Sequence, residues 1–320
     1  MYHQVYSDKK SMYFQSSGTK QQIVIKGGAE SITKDHSISV LSWNVLSPDQ
    51  YIPETSFAYY NETNDKRFKQ MNNIIQNHDI YIFQEMPTDW AISMLETKEY
   101  YSGQSAGHLN TSGKKRMGVA TIWNDRKFQH LHSQSIVVSK FIKRHSAIYS
   151  EIFSEETIKK VQRKKQTMLI VRLKDKRNGK QILVANYHFP CSFRYPEQMK
   201  LYARASQDFI KQYITKSGIG SISDPYVIFG TDANTRPDVD HFTKIYDNTL
   251  FKYTELPSKF STWNKMMNDK FAFKAILDYI FVSKNFRVST YKTILNKDGL
   301  SPNKSNPSDH YPIHCKLQYT

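Results

Sequence analysis

Six short segments stand at the edges of apolar runs of the sequence, and each carries side chains that bind metal ions or move protons. In chain order they are Ser42-Trp43-Asn44, Phe83-Gln84-Glu85, Asn186-Tyr187-His188, Gly230-Thr231-Asp232-Ala233-Asn234, Leu277-Asp278-Tyr279 and Ser308-Asp309-His310. Carboxylate and amide oxygens suit a hard divalent cation, and histidine transfers protons near neutral pH. The order and spacing of these segments predict a metal-dependent site for phosphoryl transfer.

Three residues are the candidate metal ligands. Glu85 closely follows the apolar run Ile80-Tyr81-Ile82-Phe83, and a carboxylate at the end of a buried strand lies where a sheet meets solvent. Asn44 ends another strand-like run and offers a neutral oxygen to the ion or its water shell. Asp309 is a candidate for a second metal position or a metal-bound water. In isolation, Glu85 is more often an ordinary strand-end charge and Asn44 a turn residue.

Asp232 and Asn234 are candidate catalytic residues two positions apart. In an extended loop their side chains point the same way, so that one holds the attacking water while the other donates to a phosphate oxygen. An Asx turn before Pro237 is the alternative explanation.

His310 is a candidate acid, base or phosphate-binding cation. Asp278, in a different predicted strand, is the candidate carboxylate that orients it. His188 ends a strand-like run and is a candidate donor to a phosphate oxygen, although a lone histidine at a strand end is more often structural. An isolated Ser-Asp-His segment is more often a surface turn.

The composition is that of a basic globular protein. With 45 Lys and Arg against 29 Asp and Glu, the formal net charge is +16 and the pI is near 9.5. This favours a polyanionic partner, most simply nucleic acid, with a merely basic surface as the alternative. Two cysteines argue against a disulfide framework or a cysteine zinc site. The start of the chain has no apolar signal segment, so a cytoplasmic or other intracellular location without a membrane partner is expected.

Two groups of basic residues are dense enough to follow a phosphate backbone. Lys114-Lys115-Arg116 lies in a Gly/Ser-rich stretch before a predicted strand, which makes Lys115 and Arg116 candidate substrate-binding residues. Lys159-Lys160 with Arg163-Lys164-Lys165 is better explained as a solvated loop or helix face.

The pattern of apolar residues predicts the elements that position these side chains. Residues 1–36 are polar and are interpreted as a flexible N-terminal arm, and residues 37–320 as one catalytic domain. Residues 65–76 and 195–214 have helical spacing, and Asn178-Gly179 between two apolar runs is a strong hairpin signal. Short strands, hairpins and a few helices predict an α/β domain in which two sheets pack together with helices outside.

The ordered segments resemble the endonuclease/exonuclease/phosphatase superfamily over about residues 38–318. The resemblance implies a four-layered αββα sandwich of two mixed sheets and hydrolysis of phosphate esters with Mg²⁺, or alternatively Mn²⁺. It also implies the roles proposed above: Glu85 binds metal with Asn44 assisting, His188 and Asn234 steady the phosphate, and Asp232 and His310 position or activate water.

Several runs are similar to the branch of deadenylases, nocturnin, angel proteins and the 2′,5′-phosphodiesterase. They are Asn44-Val45-Leu46-Ser47 with Tyr51, the run from Asp232 to Asp238, and Leu277 to Ser283. This likeness implies that Phe273 stacks on a base.

The resulting prediction is a 3′ exoribonuclease acting on single-stranded RNA. The alternatives are a phosphatase or phosphodiesterase for a 2′-phosphonucleotide or 2′,5′-oligoadenylate, a DNA endonuclease of the same superfamily, and an inactive RNA- or protein-binding member.

Overall fold

The structure is a computed structural model. It describes residues 5–6, 11–15, 36–51, 60–75, 77–109, 115–192, 194–218, 225–236, 251–252, 263–267, 271–294 and 301–320. In 5–6, 11–15, 108–109, 115–116, 252, 263–267 and 271–274 only the backbone is described. Within these ranges, no helix combines the length and the apolar character needed to cross a lipid bilayer.

The strands form two large sheets and a separate hairpin. In chain order they are β1 (Val5–Tyr6), β2 (Ser11–Gln15), β3 (Ile38–Asn44), β4 (Ile80–Gln84), β5 (Tyr101–Leu109), β6 (Lys115–Asn124), β7 (Phe128–Val137), β8 (Thr167–Asp175), β9 (Gln181–His188), β10 (Tyr226–Asp232), β11 (Phe251–Lys252), β12 (Trp263–Met267), β13 (Phe271–Ala275), β14 (Asp278–Ser283), β15 (Phe286–Thr293) and β16 (Ile313–Tyr319). The first sheet has the order β1-β2-β5-β6-β4-β3-β16-β15, the second β11-β14-β10-β9-β8-β7, and β12 pairs with β13. Both large sheets are mixed, because β3–β4 and β9–β10 are parallel pairs among antiparallel ones.

Helices cover the outer face of each sheet. They are α1 (Asn64–Ile74), α2 (Thr88–Thr97), α3 (Val138–Arg144), α4 (Ser146–Ser150), α5 (Glu155–Gln162) and α6 (Pro196–Ser217). Helices α1 and α2 pack on the first sheet through a cluster that includes Met71 and Trp90, and α3 to α6 pack on the second. This arrangement confirms the predicted four-layered sandwich.

The two sheets pack face to face through an apolar layer that includes Val40 and Ile82 from the first sheet and Val184 and Ile228 from the second. Alternation along the strands explains this layer, since residues i and i+2 face the same side. Near the end of β10 the sheets come very close: a Cβ built on Gly230 would lie 2.8 Å from Ile82 Cγ2.

A polar contact crosses the same interface. Gln84 Nε2 donates to Asn186 Oδ1 at 3.0 Å, and Asn186 Nδ2 donates to the carbonyl oxygens of Phe83 and Ala120, each at 3.0 Å. Buried amides are tolerated where they find such partners. These bonds fix the ends of β4 and β9 relative to each other, beside Glu85 and His188.

The strongest local signals of the sequence predicted the observed elements. The predicted helix over 65–76 is α1, which Thr63 caps by accepting a hydrogen bond from Lys66 N, and the helix over 195–214 is α6, with a proline at its start. Asn178-Gly179 joins the antiparallel β8 and β9, and Gly179 has φ 75°. The predicted run 80–83 is β4, parallel to β3 as expected for a connection through a helix.

Residues 1–36 contribute backbone pairing at one edge of the first sheet. Strand β2 pairs antiparallel with β5, and β1 pairs with β2. The predicted edge strand at residues 23–25 lies outside the described residues. The division into a flexible arm and a catalytic domain stays a prediction.

Candidate active site

The candidate residues meet at one edge of the paired sheets, where the parallel strands end. Asn44 is paired with Gln84 at the ends of β3 and β4. In the second sheet, Asp232 at the end of β10 lies between His188 on β9 and Asp278 on β14. Parallel neighbours end at the same edge of a sheet, so each pair presents its terminal side chains together.

Asn44 links the carboxylates of the two sheets. Its Nδ2 donates to Asp232 Oδ2 at 2.9 Å and to Glu85 Oε1 at 3.1 Å, while its Oδ1 accepts from Leu46 N at 3.0 Å. The side chain is buried. In this orientation the amide nitrogen faces the carboxylates, and it holds them at a fixed separation. The role of Asn44 as an oxygen ligand, which requires the opposite orientation of the amide, stays a prediction.

The backbone around the site adopts conformations that L residues rarely occupy. Glu85 has φ 55°, Leu46 φ 55° and Asn234 φ 49°. These are three of the four non-glycine residues with positive φ in the described part of the chain. Such conformations persist only where surrounding contacts enforce them. Here Ser47 N donates to Glu85 Oε2 at 3.0 Å and holds the carboxylate in place.

Asp232, Asn234 and His188 form the side of the site that belongs to the second sheet. Asn234 N donates to Asp232 Oδ1 at 2.9 Å, which is the Asx turn that the sequence offered as an alternative, and the two side chains nevertheless stay close. Asn234 Nδ2 lies 3.1 Å from His188 Nε2. His188 Nε2 is 3.5 Å from Asp232 Oδ2 and 3.9 Å from Glu85 Oε1. An amide and an imidazole therefore border both carboxylates.

His310 and Asp278 form a buried pair next to Asp232. His310 Nδ1 is 2.7 Å from Asp278 Oδ2, and its Nε2 is 3.7 Å from Asp232 Oδ2. Burial alone would lower the pKa of His310, but the carboxylates of Asp278, Asp232 and Asp309 raise it to about 10. Asp278 therefore orients the imidazole and favours its cationic form, with Nε2 directed at Asp232.

The loop before β16 is tied to the first sheet at the site. Ser308 Oγ donates to the carbonyl oxygen of Asn44 at 2.7 Å and accepts from His310 N at 3.1 Å. Trp43 Nε1 donates to the carbonyl oxygen of His310 at 2.9 Å. Asp309 lies in this loop and is buried, and it interacts electrostatically with His310 and with Arg67.

Arg67 is a residue of the site that the sequence did not reveal. It is fully buried on α1, and its guanidinium donates to Leu46 O at 2.6 Å, Val45 O at 3.3 Å and Pro307 O at 3.0 Å. It thus joins the loop after Asn44 to the loop before Asp309. Burial lowers the pKa of Arg67 to about 10, so it stays cationic at neutral pH. The one available signal was its place four residues before the buried Met71.

The donor chemistry fits a hard divalent cation. Among the described residues, Asp232, Asp278 and His310 are the group of three whose ligand atoms lie within 4.8 Å of one another. Asp278 and His310 are hydrogen-bonded to each other. Asp232 and Glu85 accept hydrogen bonds from Asn44 and from backbone N–H groups, but each carboxylate oxygen keeps a second lone pair that can coordinate an ion. Carboxylate oxygens of this kind, beside an amide and water, are what Mg²⁺ and Mn²⁺ prefer.

The structure positions the backbone of the predicted substrate-binding residues but not their side chains. Lys115 and Arg116 are the first residues of β6 and not part of a preceding loop. Phe273 is in the middle of β13, opposite Lys265 of β12. Their roles in substrate binding stay predictions.

A comparison with protein-family models matches residues 41–310 to the Endonuclease/Exonuclease/phosphatase family. The match extends from the strand that ends in Asn44 to His310, so it contains every candidate metal-binding and catalytic residue. A search of curated protein sequences finds no significant match.

Solved structures share the fold at low sequence identity. ANGEL2, a 2′,3′-cyclic phosphatase in complex with adenosine-2′,3′-vanadate, has a TM-score of 0.67 at 15% identity, covering 88% of this chain and 96% of that chain. The human nocturnin catalytic domain with bound sulfate has a TM-score of 0.64 at 17% identity, covering 89% and 95%. D. rerio TDP2 complexed with a single-strand DNA product has a TM-score of 0.55 at 14% identity, covering 89% and 100%.

Proposed function

This chain belongs to the endonuclease/exonuclease/phosphatase family, and from that membership we propose that it is a Mg²⁺-dependent 3′ exoribonuclease that acts on single-stranded RNA. The observation that carries the proposal is the meeting of Glu85, Asp232 and His310 through Asn44 and Asp278 at the edge of two packed sheets. Reactions of phosphate esters need charge neutralisation on the phosphate and a positioned water, and these residue types supply both.

Glu85 and Asp232 would hold the ion, with Asn44 and Asp309 as further candidates. The bound cation would neutralise charge on the phosphate and lower the pKa of a coordinated water. Asp232 would position or activate the attacking water; its Oδ2 lies 3.5 Å from His188 Nε2 and 3.7 Å from His310 Nε2. Asn234 and His188 would steady the phosphate. Asn234 Nδ2 contacts His188 Nε2 at 3.1 Å and donates to the carbonyl oxygen of Phe189 at 2.9 Å, and a phosphate oxygen would replace one of these contacts.

His310 acts as a cation in this scheme. Its pKa of about 10 keeps it protonated at neutral pH before any metal binds. Hydrogen-bonded to Asp278 through Nδ1, it directs Nε2–H toward Asp232, where it can stabilise negative charge on the phosphate or protonate a leaving oxygen.

Two facts support RNA as the substrate. The net charge of +16 favours a polyanion, and TDP2, complexed with a single-strand DNA product, connects this fold to nucleic acid. A second candidate is suggested by ANGEL2, described as a 2′,3′-cyclic phosphatase. In that case the chain would open a cyclic phosphate at an RNA end, a substrate that is not among the alternatives drawn from the sequence.

The test is a substrate panel with 5′-labelled oligoadenylate, the same RNA ending in a 2′,3′-cyclic phosphate, 2′,5′-oligoadenylate, a 2′-phosphonucleotide and single-stranded DNA. We expect the oligoadenylate to shorten from its 3′ end with Mg²⁺ and to stay intact in EDTA. If the oligoadenylate stays intact while the 2′,3′-cyclic phosphate is opened, the second candidate function is correct and the exonuclease proposal is wrong. A panel left wholly unreacted with Mg²⁺ and Mn²⁺ would favour an inactive binding protein.

A further inference from the structure

An exposed group of cations follows α5 in a position that the catalytic site does not use. Arg163, Lys164 and Lys165 are exposed, and none of them forms an ion pair within the described part of the structure. The two carboxylates that precede them on α5 are each paired with a lysine of the same helix. Glu155 pairs with Lys159 at 2.6 Å and Glu156 with Lys160 at 2.7 Å.

The loop after His188 connects these cations to the site. Phe189 N donates to the carbonyl oxygen of Asp232 at 2.9 Å, so the loop starts at the carboxylates. Ser192, three residues after Phe189, accepts a hydrogen bond from Tyr195 N at 2.8 Å, so the loop leads from the acidic site to the start of α6. Tyr202 of α6 donates through its hydroxyl to the carbonyl oxygen of Val161 on α5 at 3.4 Å, so the helix that the basic group follows packs against α6.

Tyr195 adds an exposed aromatic ring to the same region. It is the residue before α6, it is 54% exposed, and its backbone N–H donates to Ser192 O at 2.8 Å. Lys160 Nζ lies 5.7 Å from the centre of its ring, within the range of a cation–π contact. Glu197, the next acid along the chain, is paired with Lys200 at 2.5 Å.

We propose that Arg163, Lys164, Lys165 and Tyr195 form a docking surface, the α5 surface, that holds single-stranded nucleic acid leading into the active site. The inference rests on the proposed function and deepens it, because it makes the substrate a strand of several nucleotides and not a mononucleotide. The cations contact successive phosphates, and the tyrosine ring stacks on an unpaired base.

A single strand fits this surface better than a duplex or a membrane. Stacking on Tyr195 needs a base that is free of its partner strand, and the exposed cations Arg163, Lys164 and Lys165 are consecutive in the chain. Ile148 and Ile152 are also exposed nearby in sequence, and exposed apolar side chains beside cations could instead bind an anionic bilayer. The test therefore includes lipid vesicles.

The experiment measures binding without catalysis. The anisotropy of a fluorescein-labelled 12-nucleotide oligoadenylate is followed in EDTA with wild-type protein, with Arg163→Gln/Lys164→Gln and with Tyr195→Ala. The control is Lys284→Gln/Arg287→Gln, which removes the same charge from exposed residues at the opposite end of β14 from Asp278. Loss of two phosphate contacts should weaken binding roughly tenfold and reduce the slope of log affinity against log salt by about 1.4. Tyr195→Ala should weaken binding roughly tenfold. The control should change neither the affinity nor the salt slope.

A second measurement separates this proposal from the proposed function. Where the wild type hydrolyses RNA, Arg163→Gln/Lys164→Gln should raise KM for the 12-mer and leave kcat and the hydrolysis of a dinucleotide unchanged. If the wild type hydrolyses no substrate, the proposed function fails, and the anisotropy measurement alone tests whether the α5 surface binds the oligonucleotide. Equal weakening by the control, unchanged affinity in both α5-surface variants, or binding of phosphatidylserine vesicles without binding of the oligonucleotide would overturn the proposal. A 12-base-pair duplex is the last comparison. The proposal would also be overturned if the wild type bound this duplex more tightly than the single strand and the α5-surface variants lost as much affinity for the duplex as for the single strand.

Discussion

Asn44 Nδ2 lies 2.9 Å from Asp232 Oδ2, although the two residues are 188 positions apart and end strands of different sheets. The contact exists only when both sheets are packed, because each side chain comes from the edge of its own sheet. Formation of the site is therefore coupled to formation of the interface between the sheets.

Glu85→Gln should reduce kcat by at least about 100-fold, because a bound cation contributes several kcal/mol to catalysis and this change removes a charged ligand. The glutamine oxygen can still accept the bond from Ser47 N but not also the bond from Asn44 Nδ2, so the melting temperature should fall only modestly. Hydrolysis rates check the loss of kcat, Mg²⁺ titration by calorimetry checks the loss of the ligand, and thermal denaturation checks the melting temperature. Glu96→Gln, at an exposed position on α2, is the matched control. Wild-type Mg²⁺ affinity in Glu85→Gln would exclude Glu85 as the principal ligand.

Asp278→Asn should change how stability depends on pH in metal-free protein. Burial opposes the charge on His310, but Asp278 and Asp232 raise its pKa to about 10. The raised pKa contributes stability that is complete below about pH 6.5 and is lost as the pH rises toward 10, by at most about 1.4 kcal/mol per pH unit. Denaturant unfolding at pH 7, 8 and 9 in EDTA should show a shallower decline in the variant. Equal slopes in both proteins would contradict the assigned pair.

Gly230→Ala tests the close approach of the sheets. The added methyl group would lie 2.8 Å from Ile82 Cγ2, 2.9 Å from Ile82 Cδ1 and 3.0 Å from Ser42 Oγ. Overpacking of this kind should lower the free energy of unfolding by about 1–3 kcal/mol. Gly103→Ala is the comparison. Its added methyl group would lie no closer than 3.1 Å to a neighbouring atom, Ile122 Cγ1, so this variant should lose less free energy of unfolding. Equal losses in the two variants would show that the sheets separate easily at Gly230.

Arg67→Lys should lower both stability and activity. One ammonium group cannot replace the bonds to Leu46, Val45 and Pro307, so buried carbonyl oxygens lose partners at about 1–3 kcal/mol. The loop after Asn44 and the loop that contains Asp309 would then move apart. As a result, more Mg²⁺ would be needed for half-maximal activity. Arg204→Lys, on the exposed face of α6, is the control. A stable variant with unchanged Mg²⁺ dependence would make Arg67 dispensable for the site.

The sequence by itself determined the elements with strong local patterns and the chemistry at their ends. The strand-like apolar runs of β3 and β4, the helical spacing of α1 and α6 and the Asn178-Gly179 turn depend on neighbouring residues, and local chain preferences act over such distances. The residue types at the ends of these elements, from Asn44 to His310, indicated a metal-dependent phosphate site and the family that has it.

Tertiary structure alone decided how those residues face one another. The amide of Asn44 bridges two carboxylates, Arg67 ties two loops, and Phe189 N in the loop after His188 donates to the carbonyl oxygen of Asp232. No local pattern marks any of these contacts. They arise from the packing of two sheets and their outer helices, which brings together residues far apart in the chain. Periodicity identifies the face of a strand that is buried, but the register between packed sheets depends on the fit of all their side chains at once.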